Sequence, residues 1–378
     1  MFQNCRVCQG SLFSKPLLHY GCSPKSAQGF LNKLSEIDEV VDLIIYQCSK
    51  CGLIQHNLEP VVYYKEVIRA VAFSPEMGKF RKKQLKKWIS KNNLQKKSIV
   101  EVGCGKGEYL KLIQQAGGEQ VFGIEFSENN INIARGLGLN VEKGYFDSNY
   151  VNNNNNKFNA FTIFSFLEHW PDPNEGLKIL HSNLKDDAVG IVEVPNFELI
   201  LSKGLYSEFT TDHIFYFDKK TLSFVLEKNG FEIISIKPIW YKYILSAEVR
   251  KKTPLDVGTF LKVQNTIKKQ LNMHIKKFEN KKVAIWGAGH QALAVIAMSG
   301  IAPYIKYIID SAQFKQGKFT PATHLPIVSP DNIIVDPPDS ILIMAAGYSN
   351  EVCKIIKQKF PIIKSIVILR ENKLENIL

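Results

Sequence analysis

The run Ile99-Val100-Glu101-Val102-Gly103-Cys104-Gly105-Lys106-Gly107-Glu108-Tyr109-Leu110 constrains the fold more than any other part of this 378-residue chain. It reads as a short buried strand, a glycine turn and the opening of a helix, which is how a βαβ unit begins. Gly103, Gly105 and Gly107 alternate along the turn. With no Cβ in the way the backbone turns tightly, and a flat or charged ligand can approach the main chain. Glu101 stands just before the turn, where a carboxylate suits a cationic group and repels a phosphate. That separates this loop from the dinucleotide fingerprint, whose turn receives a pyrophosphate.

S-adenosylmethionine carries an ammonium and a sulfonium, and it meets that requirement. A second strand, Gln120–Glu125, ends in an acid 18 residues after Gly107, placed to accept both hydroxyls of a ribose. Phe158–Phe164 is a third buried strand. Its carboxyl end, Ser165-Phe166-Leu167-Glu168-His169-Trp170, borders the crevice where open α/β sheets bind ligands. Phe166 is therefore expected against the cofactor and His169 toward a substrate. Asp147 is placed to take an adenine amino group, with a plain turn residue as the alternative. Asn152–Asn156 is low complexity and reads as an exposed loop.

Cysteine spacing organises the N-terminus. Cys5 and Cys8 form one CxxC pair, Cys48 and Cys51 a second, and 39 residues (9–47) separate them. Two such turns complete a tetrahedral zinc site. With four thiolates and no open position the metal is expected to be structural. Redox pairs and disulfides are the competing readings. The first residues, Met1-Phe2-Gln3-Asn4-Cys5-Arg6, lack a charged-then-apolar layout, so a cytoplasmic location is expected, where disulfides are rare.

Length and charge bound the remaining choices. A chain of this length divides into two or three domains, and 45% hydrophobic residues suffice for packed cores. No apolar run reaches the roughly 18 residues of a membrane span. The net charge of +12 is spread along the chain. Its densest run, Lys79–Trp88, has apolar residues at helical spacing and reads as an amphipathic helix over about 74–91 rather than a nucleic-acid surface. A basic surface also suits an anionic substrate. Residues 251–280 read as a lysine-rich bridging helix. Val283–Ala292 then repeats the strand, glycine turn and helix, with Asp310 ending the next strand (304–309) and another strand over 340–347. Alone, this repeat suggests a dinucleotide site, but Ala292 replaces the third glycine.

In order along the chain, the CxxC pairs, the Glu101–Gly107 loop, Leu167-Glu168-His169, Val192-Glu193-Val194-Pro195-Asn196, Asp212-His213-Ile214-Phe215-Tyr216-Phe217 and Lys315–Ile327 resemble the nucleotide-sugar C-methyltransferases. The resemblance implies an α/β chain with a zinc-binding domain (1–70), a class I methyltransferase domain with a Rossmann-like core (71–250), and a linker helix with a C-terminal Rossmann-like domain (251–378). It implies transfer of a methyl group from S-adenosylmethionine to a nucleotide-linked keto sugar in surface polysaccharide or deoxysugar biosynthesis, by a monomer or homodimer without nucleic-acid or membrane partners. Glu101, Gly103, Gly105, Gly107, Glu125, Asp147 and Phe166 would hold the cofactor, and Cys5, Cys8, Cys48 and Cys51 the zinc.

For a carbon acceptor, His213 beside Asp212 is the candidate base and His169 the group that polarises the ketone or relays a proton. His19, His56, His181, His274 and His324 are assigned surface or structural roles. Two departures stand out. The family commonly has Glu-His where this chain has Asp212-His213, and it carries tyrosines where this chain reads Val67–Phe73, with only Tyr63 and Tyr64 nearby. Methyl transfer to oxygen or nitrogen of a sugar is therefore the alternative, and a nicotinamide-dependent oxidoreductase the more distant one.

Overall fold

Hydrophobic periodicity and glycine placement produce two α/β units, Met1–Thr253 and Pro254–Leu378. The computed structural model describes residues 4–28, 30, 33, 39–65, 74–150, 157–278 and 282–378. The asparagine run and the stretch 67–73 fall outside the described residues. Among the described residues no helix is long and apolar enough to cross a membrane.

In the first unit, β1 (Leu18–Pro24), β2 (Val40–Gln47) and β3 (Ile54–His56) pair antiparallel. Helix α1 (Pro75–Lys91) begins at Ser74, whose side chain accepts from the Met77 amide, with Pro75 in the first turn. Arg81, Leu85, Trp88 and Ile89 are buried on one face while Lys82, Lys83, Lys86 and Lys87 are exposed. The basic run is thus a solvated face, except that Arg81 turns inward.

The chain then lays down β4 (Ser98–Val102), α2 (Glu108–Gln115), β5 (Gln120–Glu125), α3 (Glu128–Gly136), β6 (Asn140–Lys143), β7 (Phe158–Phe164), α4 (Pro173–Ser182) and β8 (Leu184–Pro195). After α5 (Phe197–Lys203) and β9 (Phe215–Tyr216) come α6 (Lys219–Lys228), β10 (Phe231–Ile239) and β11 (Ile244–Lys251). The seven-stranded sheet has the order β10-β11-β8-β7-β4-β5-β6. Strands β4 to β8 run parallel, and the β10–β11 hairpin closes one edge antiparallel. The order reverses between β4 and β7, which opens the crevice at their carboxyl ends. Cys5, Val7, Cys48 and Leu53 share a buried core with Phe161, Ile163, Leu167 and Trp170. The N-terminal sheet also takes β9 as its fourth strand, beside β3. Residues 1–70 therefore complete their sheet with a strand from far along the chain.

In the second unit, α7 spans Gly258–Ile275, shorter than the helix expected over 251–280. Lys251 still belongs to β11, and Pro254 disfavours helical backbone at Thr253. A six-stranded sheet follows, built from β12 (Val283–Trp286), β13 (Ile305–Ile309), β14 (Ile327–Val328), β15 (Ser340–Ile343), β16 (Ser365–Leu369) and β17 (Leu374–Asn376), in the order β14-β13-β12-β15-β16-β17. All pairings are parallel except that of β17. Helix α8 (His290–Ser299) leads from β12 to β13, α9 (Asn332–Val335) precedes β15, and α10 (Ser349–Lys359) follows it. The strand expected over 340–347 stops at Ile343, because a short 3-10 turn at Ala346–Tyr348 begins with Ala346 at a φ of +46°.

Candidate active site

The parallel sheet brings Glu101, the glycine turn, Glu125 and Phe166 to one edge. Gly103, Gly105 and Gly107 have φ of +68°, +56° and +85°, a region open to glycine and costly for other residues. Two of them also lack room for a side chain. A Cβ on Gly103 would lie 2.7 Å from the Phe166 ring, and one on Gly107 would lie 2.3 Å from Leu139. Glu101 is fully buried at the end of β4. Glu125 accepts from the Gly105 amide at 2.8 Å and the Ser127 amide at 2.9 Å, so it clamps the turn. A carboxylate has about four lone-pair sites, and the remaining ones can receive ribose hydroxyls.

Gly103, Glu125, Phe126, Tyr145 and Phe166 line a small cavity here, and Lys65 enters it. The Lys65 ammonium lies 4.9 Å from the Tyr145 ring centre and 5.1 Å from that of Phe126. It is bonded to Asp147 at 2.7 Å. Burial opposes ionisation of Asp147, but that bond prevails and holds its carboxyl below the ordinary range. An aromatic surround with an acid beside it favours a cation. Asp147 sits on the wall of the adjoining cavity with Asn149 and Tyr150. Lys65 had no motif to mark it, and its place depends on where the chain after β3 happens to run.

Two turns bring His169 and His213 together. Ser165, at a φ of +48°, redirects the chain after β7 into the 3-10 turn Leu167–His169. The Ile214 amide donates to the Glu168 carbonyl at 2.9 Å, which pins the 167–169 turn to the 212–214 turn. The rings of His169 and His213 are 4.7 Å apart at 70°. His169 Nδ1 lies 2.8 Å from the Asp212 carbonyl, so Nδ1 carries the hydrogen and Nε2 is left as an acceptor. Burial lowers the pKa of His169 to about 3 and that of His213 to about 4, so both rings are neutral.

Asp212 is not paired with the ring beside it in sequence. Its Oδ1 accepts from the Tyr63 hydroxyl at 2.5 Å, and that hydroxyl accepts from Ser26 and from the Gln28 amide. Tyr63 therefore reaches this site from the N-terminal part of the chain. His56 is also buried here, 3.1 Å from the Thr211 carbonyl. Glu168, to which the sequence pattern gave no role, lies beside the two histidines. Its carboxylate and the two rings each present an atom, all within 4.8 Å of one another.

Away from this site, the four cysteine sulfurs also converge within 4.8 Å. Cys5 and Cys51 are 3.7 Å apart, and Cys8 and Cys48 are 3.4 Å apart. Tetrahedral ligands at about 2.3 Å from a zinc ion sit about 3.8 Å apart, so these thiols fit such a site. Amides of Gly10, Lys50 and Cys51 point at the sulfurs of Cys8 and Cys48, as they do where thiolates are stabilised. In the second unit Asp310 is already occupied. It accepts from the amides of Ala288 and Ala312 and from Lys315, at 2.8–2.9 Å.

A parallel sheet with a reversed final hairpin, an acidic glycine turn at its switch point and a second acid at the end of the next strand define a class I S-adenosylmethionine-dependent methyltransferase. Residues 77–236 match the methyltransferase-domain family, and residues 247–362 match the C-methyltransferase C-terminal domain family. The C-methyltransferase NovU of Streptomyces niveus is 22% identical over 388 residues, covering 92% of this chain and 90% of that protein. The ubiquinone biosynthesis O-methyltransferase of Bordetella avium (strain 197N) is 33% identical over 94 residues, 23% of this chain and 39% of its own length. Among solved structures, a methyltransferase from Clostridium acetobutylicum ATCC 824 covers 51% of this chain and 97% of its own, at 15% identity and a TM-score of 0.39.

Proposed function

We propose that this enzyme methylates carbon in a nucleotide-linked keto sugar, with His213 as the base that forms the enolate. The observation that carries the reading is the pair of facing neutral imidazoles at the rim of the methyl-donor crevice. His213 has no hydrogen-bond partner among the described residues and can take a proton, while His169 is oriented by the Asp212 carbonyl. Similarity to a C-methyltransferase along nearly the whole chain supports the carbon acceptor.

S-adenosylmethionine supplies the electrophilic methyl group. The chain's residues do the rest. Glu101 and Glu125 favour the cationic and ribose parts of the donor, and the glycine turn admits it to the main chain. Tyr63 and Asp212 hold the 212–214 turn in place, and His213 removes the proton alpha to the ketone. His169 gives its Nδ1 hydrogen to the Asp212 carbonyl and presents only the acceptor Nε2, so as a neutral ring it relays a proton and does not donate to the developing oxyanion. Cys5, Cys8, Cys48 and Cys51 would hold a structural zinc that ties the N-terminal turns together. A role in polysaccharide or deoxysugar biosynthesis follows from a sugar-nucleotide substrate.

The test is solvent deuterium exchange into nucleoside-diphosphate keto sugars, followed by mass spectrometry, alongside transfer of labelled methyl. Exchange by the wild type and its loss in His213→Ala, with donor affinity retained, is the expected result. Methyl transfer to a hydroxyl without exchange overturns the enolate reading and leaves the O-methyl alternative.

A further inference from the structure

His213 has a difficulty as a base. Burial alone pushes it to about 4, and an imidazole that acidic is poorly matched to a carbon acid near neutral pH. A carboxylate within about 4–6 Å favours the charged form and restores basicity. The neighbour in sequence, Asp212, is committed to Tyr63. Glu168 presents a carboxyl oxygen within 4.8 Å of a His213 ring nitrogen. It is 1% exposed, and among the described residues its oxygens have no hydrogen-bond partner on any other residue, only its own backbone amide favouring the ionised form. The 2.9 Å bond from the Ile214 amide to the Glu168 carbonyl holds its turn against the one that carries His213.

We propose that Glu168 is the carboxylate partner of His213, a positioning residue that fixes the ring's tautomer and balances the charge His213 gains with a proton. This rests on the reading of His213 as the base. In the step concerned, the carbon–hydrogen bond alpha to the ketone breaks and its electron pair stays on the carbon as the enolate. The proton forms the second N–H of His213, and the imidazolium pairs with the ionised carboxyl of Glu168. Burial holds that carboxyl protonated up to about 8, so its own proton must first go to solvent. His169 and His213 each bring a ring nitrogen within 4.8 Å of it and its charge reaches Tyr243, with His56 and Tyr216 behind His213. The value of kcat/KM therefore rises with pH through an inflection near 8.

The decisive measurement needs no substrate. Protein labelled with carbon-13 at glutamate carboxyls and nitrogen-15 in histidine is titrated by NMR and compared with Glu168→Gln and His213→Gln. One carboxyl resonance missing from Glu168→Gln should titrate near 8, moving the His213 ring resonances with it. An inflection in the ordinary glutamate range, or a His213 ring indifferent to it, overturns the proposal. So does stoichiometric manganese(II) binding that Glu168→Gln abolishes, since the three groups would then be metal ligands.

In turnover, Glu168→Gln should lower solvent exchange about 100-fold and remove the alkaline rise, with donor affinity unchanged. Glu168→Asp should restore part of the loss. Coupled titration without exchange by the wild type leaves the pair standing and defeats the enolate reading. Exchange without coupled titration does the reverse.

Discussion

At the scale of single residues, this site sets groups in protonation states their side chains do not hold in water. Burial keeps Glu168 protonated up to about 8, above its ordinary range. The fold thus binds a proton that the unfolded chain has released, and stability declines as pH rises toward 8. The two histidines act in the opposite sense. With folded values of about 3 and 4, they favour the fold at neutral pH and lose that contribution as pH falls from about 6.5. Urea unfolding of the wild type should therefore show stability falling between pH 6.5 and 8, and Glu168→Gln should flatten that slope. A second prediction concerns Gly103. At a φ of +68°, and with the Phe166 ring only 2.7 Å from where a Cβ would sit, Gly103→Ala should cost about 1–3 kcal/mol. It should also weaken S-adenosylmethionine binding in calorimetry, because the turn and Phe166 must move apart.

At the scale of elements, α1 is fastened to the sheet by an ion pair rather than by apolar contact alone. Arg81, 1% exposed, pairs with the fully buried Glu193 of β8. Gln84 and Ser246 donate to the other oxygen of that carboxylate at 2.6 and 2.8 Å. The Arg81 guanidinium also lies over Phe164 and Tyr109, 4.7 and 5.1 Å from the ring centres. Removing one partner leaves a charge buried without compensation, so Arg81→Ala should destabilise the first unit by about 3–5 kcal/mol in chemical unfolding. Replacing both partners by apolar residues should be much milder. The lysine spacing of this helix was legible as an amphipathic pattern. That its arginine points inward was not, because the acid it meets comes from a strand more than a hundred residues later.

At the scale of the whole molecule, the N-terminal sheet and the 212–214 turn depend on one another. β9 completes that sheet two residues after His213, and Tyr63 reaches Asp212 from the same N-terminal part. Stripping the four-cysteine site with a chelator should therefore lower acceptor turnover more than donor affinity, with about one zinc released per chain in a colorimetric assay. The second unit should show no saturable NAD binding. The acid that would receive a ribose is held by Lys315 and two amides, and burial, which opposes its ionisation, is outweighed by the Lys315 bond.

By itself the sequence determined the parts whose cause is local. Glycines at positive φ, acids at strand ends, a CxxC turn and the period of buried residues each leave a mark a few residues long. From these the class I sheet, the glycine turn with its two acids and the cysteine cluster could be located. The surroundings of His169 and His213 were decided by tertiary structure. Asp212 and His213 are adjacent in sequence, yet the carboxylate turns to Tyr63, and Glu168 meets the ring from another strand end. Side chains on neighbouring positions point apart, and which distant group fills the space beside each is fixed only when the sheet brings its strand ends together.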